Sequence, residues 1–234
     1  MNKILLFLIS IILFNNSFCQ LKFGLNTSII FSQGKIDQPS NYGASQIPTE
    51  KKISAGIKIG VGIKYPLGNN ILLMPELNFV NKGNKSKVKI NSSEYFQTIS
   101  TKYSLTFLEL PLNIAYKGKK NEGFIIGGGP VFSMGIAGNL NTRDSYTGLS
   151  AGIKNIRQKI VFDGNASTAI KENEDYHLNK MEIGWNIFVS QMVSKKVNLK
   201  LAYFNSVTNL QPDDKYNLKI NYLSVGVGFL LNSK

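Results

Sequence analysis

The stretch ISAGIKIGVGIKY, Ile53–Tyr65, alternates without a break. Ile53, Ala55, Ile57, Ile59, Val61, Ile63 and Tyr65 fall on one face; Ser54, Gly56, Lys58, Gly60, Gly62 and Lys64 fall on the other. Successive side chains of a strand point to opposite sides, so this is a strand pattern. It is about twice the usual length of a globular strand. A soluble sandwich would bury the apolar face under a second sheet. A transmembrane barrel strand turns that face to lipid and keeps glycine and lysine for the lumen. The rest of the chain decides between the two.

The 234 residues allow one large β domain or two small ones. Hydrophobic residues make up 43%, and no stretch beyond the N-terminus has the continuous apolar length of a membrane helix. Barrel strands conceal their apolar content by alternation, so a membrane protein stays open. A net charge of +13 points to an anionic partner: nucleic acid, lipid phosphate or an acidic polymer. The N-terminus narrows that choice. Lys3 gives a positive start, Ile4–Phe14 is an apolar core, and Ser17-Phe18-Cys19 supplies small residues for cleavage before Gln20. Residues 1–19 therefore read as a secretory signal peptide, with 20–234 as one mature domain. A lipidated Cys19 is the alternative, but Phe18 sits where a lipobox needs a small residue. Cleavage after Cys19 leaves no thiol for a disulfide or a metal. Export also removes nucleic acid as a partner.

Seven further alternating segments surround the first. They are Leu21–Phe31, Ile71–Asn81, Lys102–Tyr116, Phe124–Ala137, Asn179–Val193, Val197–Val207 and Leu218–Leu231. Pro75, which offers no ladder N–H, predicts a bulge or irregular pairing in the Ile71 segment. The connections alternate in length. Ser32–Lys52, Lys82–Thr101 and Gly138–Leu178 are long and polar; Pro66–Asn70, Gly118–Gly123 and Ser194–Lys196 are short. The Lys82–Thr101 segment reads as a loop or as a hairpin extended beyond the sheet. An outer-membrane barrel has short periplasmic turns and long outer loops, and an even strand count puts both termini in the periplasm. The fold expected is an all-β, eight-stranded antiparallel up-and-down transmembrane β-barrel. Tyr65 and Tyr116, beside short turns, are expected in the periplasmic aromatic girdle.

With these strands in place, the chain resembles the PorT-like family of outer-membrane β-barrels, which shares the OmpA-type small-barrel architecture. Leu21-Lys22-Phe23-Gly24-Leu25-Asn26 resembles the family's opening strand. Pro75-Glu76-Leu77 and Leu108-Glu109-Leu110-Pro111-Leu112 resemble its third and fourth, and Gly127-Gly128-Gly129-Pro130 its fifth. The resemblance implies an integral outer-membrane barrel. It implies little about activity, because the family is functionally diverse; one branch serves protein secretion. In the last strand, Ser224, Gly226, Phe229 and Leu231 fit the polar, glycine and apolar spacing of a C-terminal signal for the barrel-assembly machinery, with Asn232-Ser233-Lys234 trailing beyond it. An ordinary alternating strand has the same look.

Three groups of residues bear on function. Lys58, Lys64, Glu76, Glu109, Glu182 and Lys200 share the inward face. An eight-stranded barrel is just wide enough for side chains to fill it, and unpaired buried charge is costly. These six therefore read as an ion network that plugs the lumen; a narrow polar conduit is the alternative. Lys85, Lys87, Lys89 and Lys102 share the outward parity and would meet the phosphates of lipopolysaccharide. A solvated charge run is the other reading. The single histidine, His177, lies near Glu174 and Asp175, but no GxSxG elbow accompanies it. Asp144, Asp163, Asp175, Asp213 and Asp214 lack a calcium-loop spacing, and Gly127-Gly128-Gly129 opens no helix that would make it a phosphate loop. No cofactor is expected. The sequence thus predicts a non-enzymatic barrel that acts through its outer loops on an unidentified protein or ligand. An accessory of a secretion or envelope-assembly machine, a lipid-modifying enzyme and a soluble ligand-binding β-barrel are the alternatives.

Overall fold

The structure, a computed structural model, describes residues 21–37, 49–91, 95–118, 123–148, 151–165, 174–212 and 217–231. The signal segment, Cys19, Asp213, Asp214 and the 232–234 tail lie outside the described residues. Among the described residues eleven strands are present: β1 (Lys22–Asp37), β2 (Thr49–Lys52), β3 (Ser54–Pro66), β4 (Ile71–Asn91), β5 (Tyr95–Lys117), β6 (Phe124–Gly148), β7 (Gly152–Phe162), β8 (Tyr176–Leu178), β9 (Met181–Met192), β10 (Val197–Ser206) and β11 (Asn217–Leu230).

Eight of them form a ring. Antiparallel pairs run β1-β3-β4-β5-β6-β9-β10-β11, and β11 returns to β1 with Gly24 opposite Leu230 and Asp37 opposite Asn217. Closure leaves no free edge within the ring, which is what a β structure in lipid requires. β2, β7 and β8 extend the sheet at one end only. The expected alternation holds through the ring. Ile57, Ile59 and Val61 on β3, Ile183, Trp185 and Ile187 on β9, and Leu223 and Val225 on β11 face outward and are exposed. Their in-between neighbours Lys58, Asn186 and Ser224 are buried. Short turns join β3 to β4 and β9 to β10, closed by Leu67 N–H to Ile71 C=O and Val193 N–H to Val197 C=O, both 2.9 Å.

The outer end differs in part from the sequence expectation. Of the two readings of Lys82–Thr101, the extended hairpin holds: β4 continues to Asn91, and Lys82 to Asn91 pair with Leu105 to Phe96 of β5. Gly138–Leu178 is not irregular over its described part, because β6 runs on to Gly148 and β7 and β8 pair beside it. β1 likewise runs past Phe31 to Asp37. Polar strand residues gave these stretches a loop-like composition, but backbone pairing continues above the membrane, where the outward face no longer needs to be apolar. The β5–β6 register shifts by one residue between Thr106 and Phe107, leaving Ile136 of β6 as the extra residue. Beyond it the outward parity of β6 changes from even to odd. Pro75 marks the irregularity expected of it, since the β4–β5 ladder skips from Pro75–Leu112 to Asn78–Glu109.

A charge on the lipid side should be costly. Ile59→Lys, near the middle of β3, should lower the unfolding free energy in bilayers by about 2–4 kcal/mol. Denaturant titration followed through Trp185 fluorescence measures this.

Candidate functional site

The lumen is filled in layers. Near the short-turn end Met74, Ala115, Ile125, Phe188 and Ala202 pack together. Ile30, Val80, Val131, Phe204 and Tyr222 form a middle layer. Tyr103, Leu105, Phe107, Leu140, Ile160, Leu178, Leu210 and Ile220 close the outer end, where the Tyr176 hydroxyl of β8 accepts from the Tyr103 hydroxyl at 3.3 Å and from Gln211 Nε2 at 2.6 Å.

The strongest polar element is centred on a residue that sequence reasoning placed outside the lumen. Lys82 is fully buried. Its Nζ donates to Glu109 Oε1 at 3.0 Å and to Glu182 Oε2 at 2.5 Å. The Tyr222 hydroxyl donates to the second Glu109 oxygen at 2.6 Å. The same ammonium lies 4.5 Å from the centre of the Phe107 ring and 4.4 Å from that of Phe204. Cation–π attraction is largest where the cation is desolvated, as it is here. Parity was the available signal. Glu76, Asn78, Val80, Lys82 and Asn84 continue one inward face, and all are buried. Ending the strand at Asn81 hid it.

A second ion pair lies toward the short-turn end, where Lys200 bonds Glu76. Lys58 is buried beside it and donates to Ser224 Oγ at 3.3 Å. Lys64, with Lys58, Glu76 and Lys200, lines a cavity of about 40 Å³, and it makes no salt bridge among the described residues. All six predicted lumen residues thus line the interior, in two separate groups rather than one network.

The outer lysines divide. Lys89 is bonded to Glu50 of β2 at 2.8 Å, which removes it from a free run. Lys85, Lys87 and Lys102 remain on the outward face, Lys85 directly opposite Lys102. His177 does not bond Glu174 or Asp175. Its Nδ1 meets the Asp163 carboxylate at 2.9 and 3.0 Å, and the backbone N–H of Asn165 reaches the same carboxylate at 3.0 Å. That N–H, and His177 after it, hold the Asp163 carboxyl below its usual range. The pair ties the end of β7 to β8, and no hydroxyl bonds His177 among the described residues. On β11, Ser224 and Gly226 face inward and Phe229 faces outward; Leu231, just past the strand, is exposed. A Cβ on Gly226 would collide with the Ser28 side chain of β1, so glycine there lets the closing strands meet.

A closed ring of eight strands, apolar outside and charged but packed within, defines a small transmembrane barrel. The chain belongs to the outer membrane protein beta-barrel domain family, whose profile matches residues 14–212, and it resides in the outer membrane. Among solved structures it is similar to Ail, the attachment invasion locus protein of Yersinia pestis, at 8% identity, covering 90% of this chain and 99% of that one, with a TM-score of 0.39. It is also similar to OprG of Pseudomonas aeruginosa, at 10% identity, 90% and 96% coverage and a TM-score of 0.39. Neisserial surface protein A is similar at 12% identity, 88% and 96% coverage and a TM-score of 0.34. The comparison with curated proteins finds no match.

Removing one member of the buried triad strands the others. Lys82→Ala should destabilise the barrel by about 3–5 kcal/mol, whereas the triple variant Lys82→Met, Glu109→Gln, Glu182→Gln should lose much less. Unfolding monitored by heat-modifiable gel mobility compares the two.

Proposed function

We propose that the protein is a sealed, non-enzymatic outer-membrane barrel that acts through its outer surface. The observation that carries this reading is the Lys82–Glu109–Glu182 triad, fully buried across the lumen beneath an apolar layer. A conducting pore needs a continuous wet path. Here ammonium, carboxylates and aromatic rings fill the cross-section, in keeping with the narrow interior of an eight-stranded barrel. Opening a path through such ion pairs would leave buried charges without partners, which is costly. What remains for function is the extension built by β2, the outer halves of β4, β5 and β6, and β7 and β8. Strands present a side chain at fixed spacing, so this extension is a rigid platform for a protein or ligand outside the cell.

Two further assignments accompany this reading. The strand motifs that resemble the PorT-like family support a place in that branch of the barrel family. We also assign β11 as the strand the barrel-assembly machinery reads, through Ser224, Gly226, Phe229 and Leu231, after export directed by residues 1–19.

Planar-bilayer recording tests the central proposal. The wild-type barrel should give no steady conductance. A large, steady open state in folded protein, identified by heat-modifiable mobility, would overturn it.

A further inference from the structure

The outward face of the extension carries cations in rows that a single strand does not reveal. Lys52 of β2 lies opposite Lys85 of β4, and Lys85 opposite Lys102 of β5. Lys102 lies opposite Asn141 of β6, and Asn141 opposite Arg157 of β7. The next row outward runs Glu50, Lys87, Ser100, Arg143, Asn155. Lys52, Lys85, Lys87, Lys102, Arg143 and Arg157 line one cleft of about 690 Å³.

Three lysines directly opposite one another on adjacent strands, each step about 4.8 Å, repel. Among the described residues the acid on this face is Glu50, which is bonded to Lys89 and acts on Lys87 and Lys52 only at longer range. Asp144 points the other way, where it accepts from Gln97 at 2.9 and 3.0 Å. The arrangement costs stability when empty and becomes favourable once an anion with several charges lies across it. Arg143 and Arg157 add planar forks suited to phosphate.

The position of the cleft chooses the anion. Its residues continue the parity of the lipid-facing Leu77 and Phe79 on β4 and Leu110 on β5, so the cleft looks sideways over the bilayer. Asn81, bonded to Thr106 at 3.2 Å, marks the polar upper edge of the apolar band. Lys85 lies further out by about 10 Å along the membrane normal, given barrel strand rise and tilt. That is the level of the glycolipid head, not of the bulk medium. Resting on the barrel assignment above, we propose that this cleft binds the phosphorylated saccharide head of the outer-leaflet glycolipid.

The test compares full-length wild type with the variant Lys85→Gln, Lys102→Gln, Arg143→Gln, Arg157→Gln. Lys195→Gln, Lys196→Gln in the short β9–β10 turn is the control. Lipid A phosphate that stays with the detergent-purified barrel is measured by mass spectrometry at low and high salt. Retention of each protein on immobilised heparin, a soluble polyanion, is measured in parallel. The quadruple variant should retain several-fold less lipid A than wild type, with the control unchanged and the wild-type signal falling with salt. Stripped of lipid, it should be at least as stable as wild type, because the repulsion is gone. Equal lipid A on wild type and quadruple variant overturns the proposal. So does loss of heparin retention with lipid A unchanged, which would assign the cleft to a soluble polyanion. If the quadruple variant does not fold, Lys102→Gln alone and salt elution from wild type give the same comparison. A barrel that conducts would defeat the sealed-barrel reading and leave these lipid measurements unaffected.

Discussion

A lysine that cannot reach water organises this barrel. Lys82 comes from β4, its carboxylate partners from β5 and β9, and the tyrosine that bonds Glu109 from β11. β4 and β9 are not neighbours in the ring, so the triad crosses the lumen. Lys200 of β10 and Glu76 of β4 make a second crossing. Hydrogen bonds between neighbouring strands fix the wall but leave its cross-section free to flatten. Charged groups held on opposite walls resist that flattening, because separating them would leave each desolvated and alone. The lumen charges are thus part of the same structural problem as the strand ladder.

Filling the lumen also explains where small residues sit. Gly184 of β9 has the Phe204 ring in the space a side chain would take, and Gly135 of β6 has Phe162. Large rings and lysines need opposing positions without a Cβ, as small barrels alternate large and small residues inside. Glycine that reads as a weak strand former in one segment becomes a partner for a ring on another.

The ring was legible because lipid and lumen impose opposite chemistry on alternate residues. Ile53–Tyr65 and Met181–Met192 could be read from period alone, and so could the inward placement of Lys58, Glu76, Glu109, Glu182 and Lys200. Lys82 was not, because polar residues on both faces of outer β4 look like a loop, and only pairing with β5 keeps them in a strand. Arg143 and Arg157 were hidden because Gly138–Leu178 reads as a long polar connection, and for Arg143 a second obstacle lies in β6 itself. Ile136 changes the parity of β6, so counting in twos from Phe132 would turn Arg143 inward. Cross-strand rows such as Lys52–Lys85–Lys102 are a property of register, which a period within each strand leaves open.

The distribution of charge follows from these constraints. The lumen holds Lys58, Lys64, Lys82 and Lys200 against Glu76, Glu109 and Glu182, which is close to neutral in a chain of net charge +13. A narrow interior enforces that balance, since an unpaired charge has no solvent to screen it. The excess must therefore lie on wetted surfaces. On the outer extension it gathers on the face that continues the lipid side, while the opposite face carries Tyr103, Leu105, Leu140 and Ile160 into the apolar cap. Packing of that cap holds the sheet rigid from one side. A fixed sheet keeps the lysine rows at their spacing despite mutual repulsion, so the apolar layer that closes the lumen is also what presents the cations over the membrane.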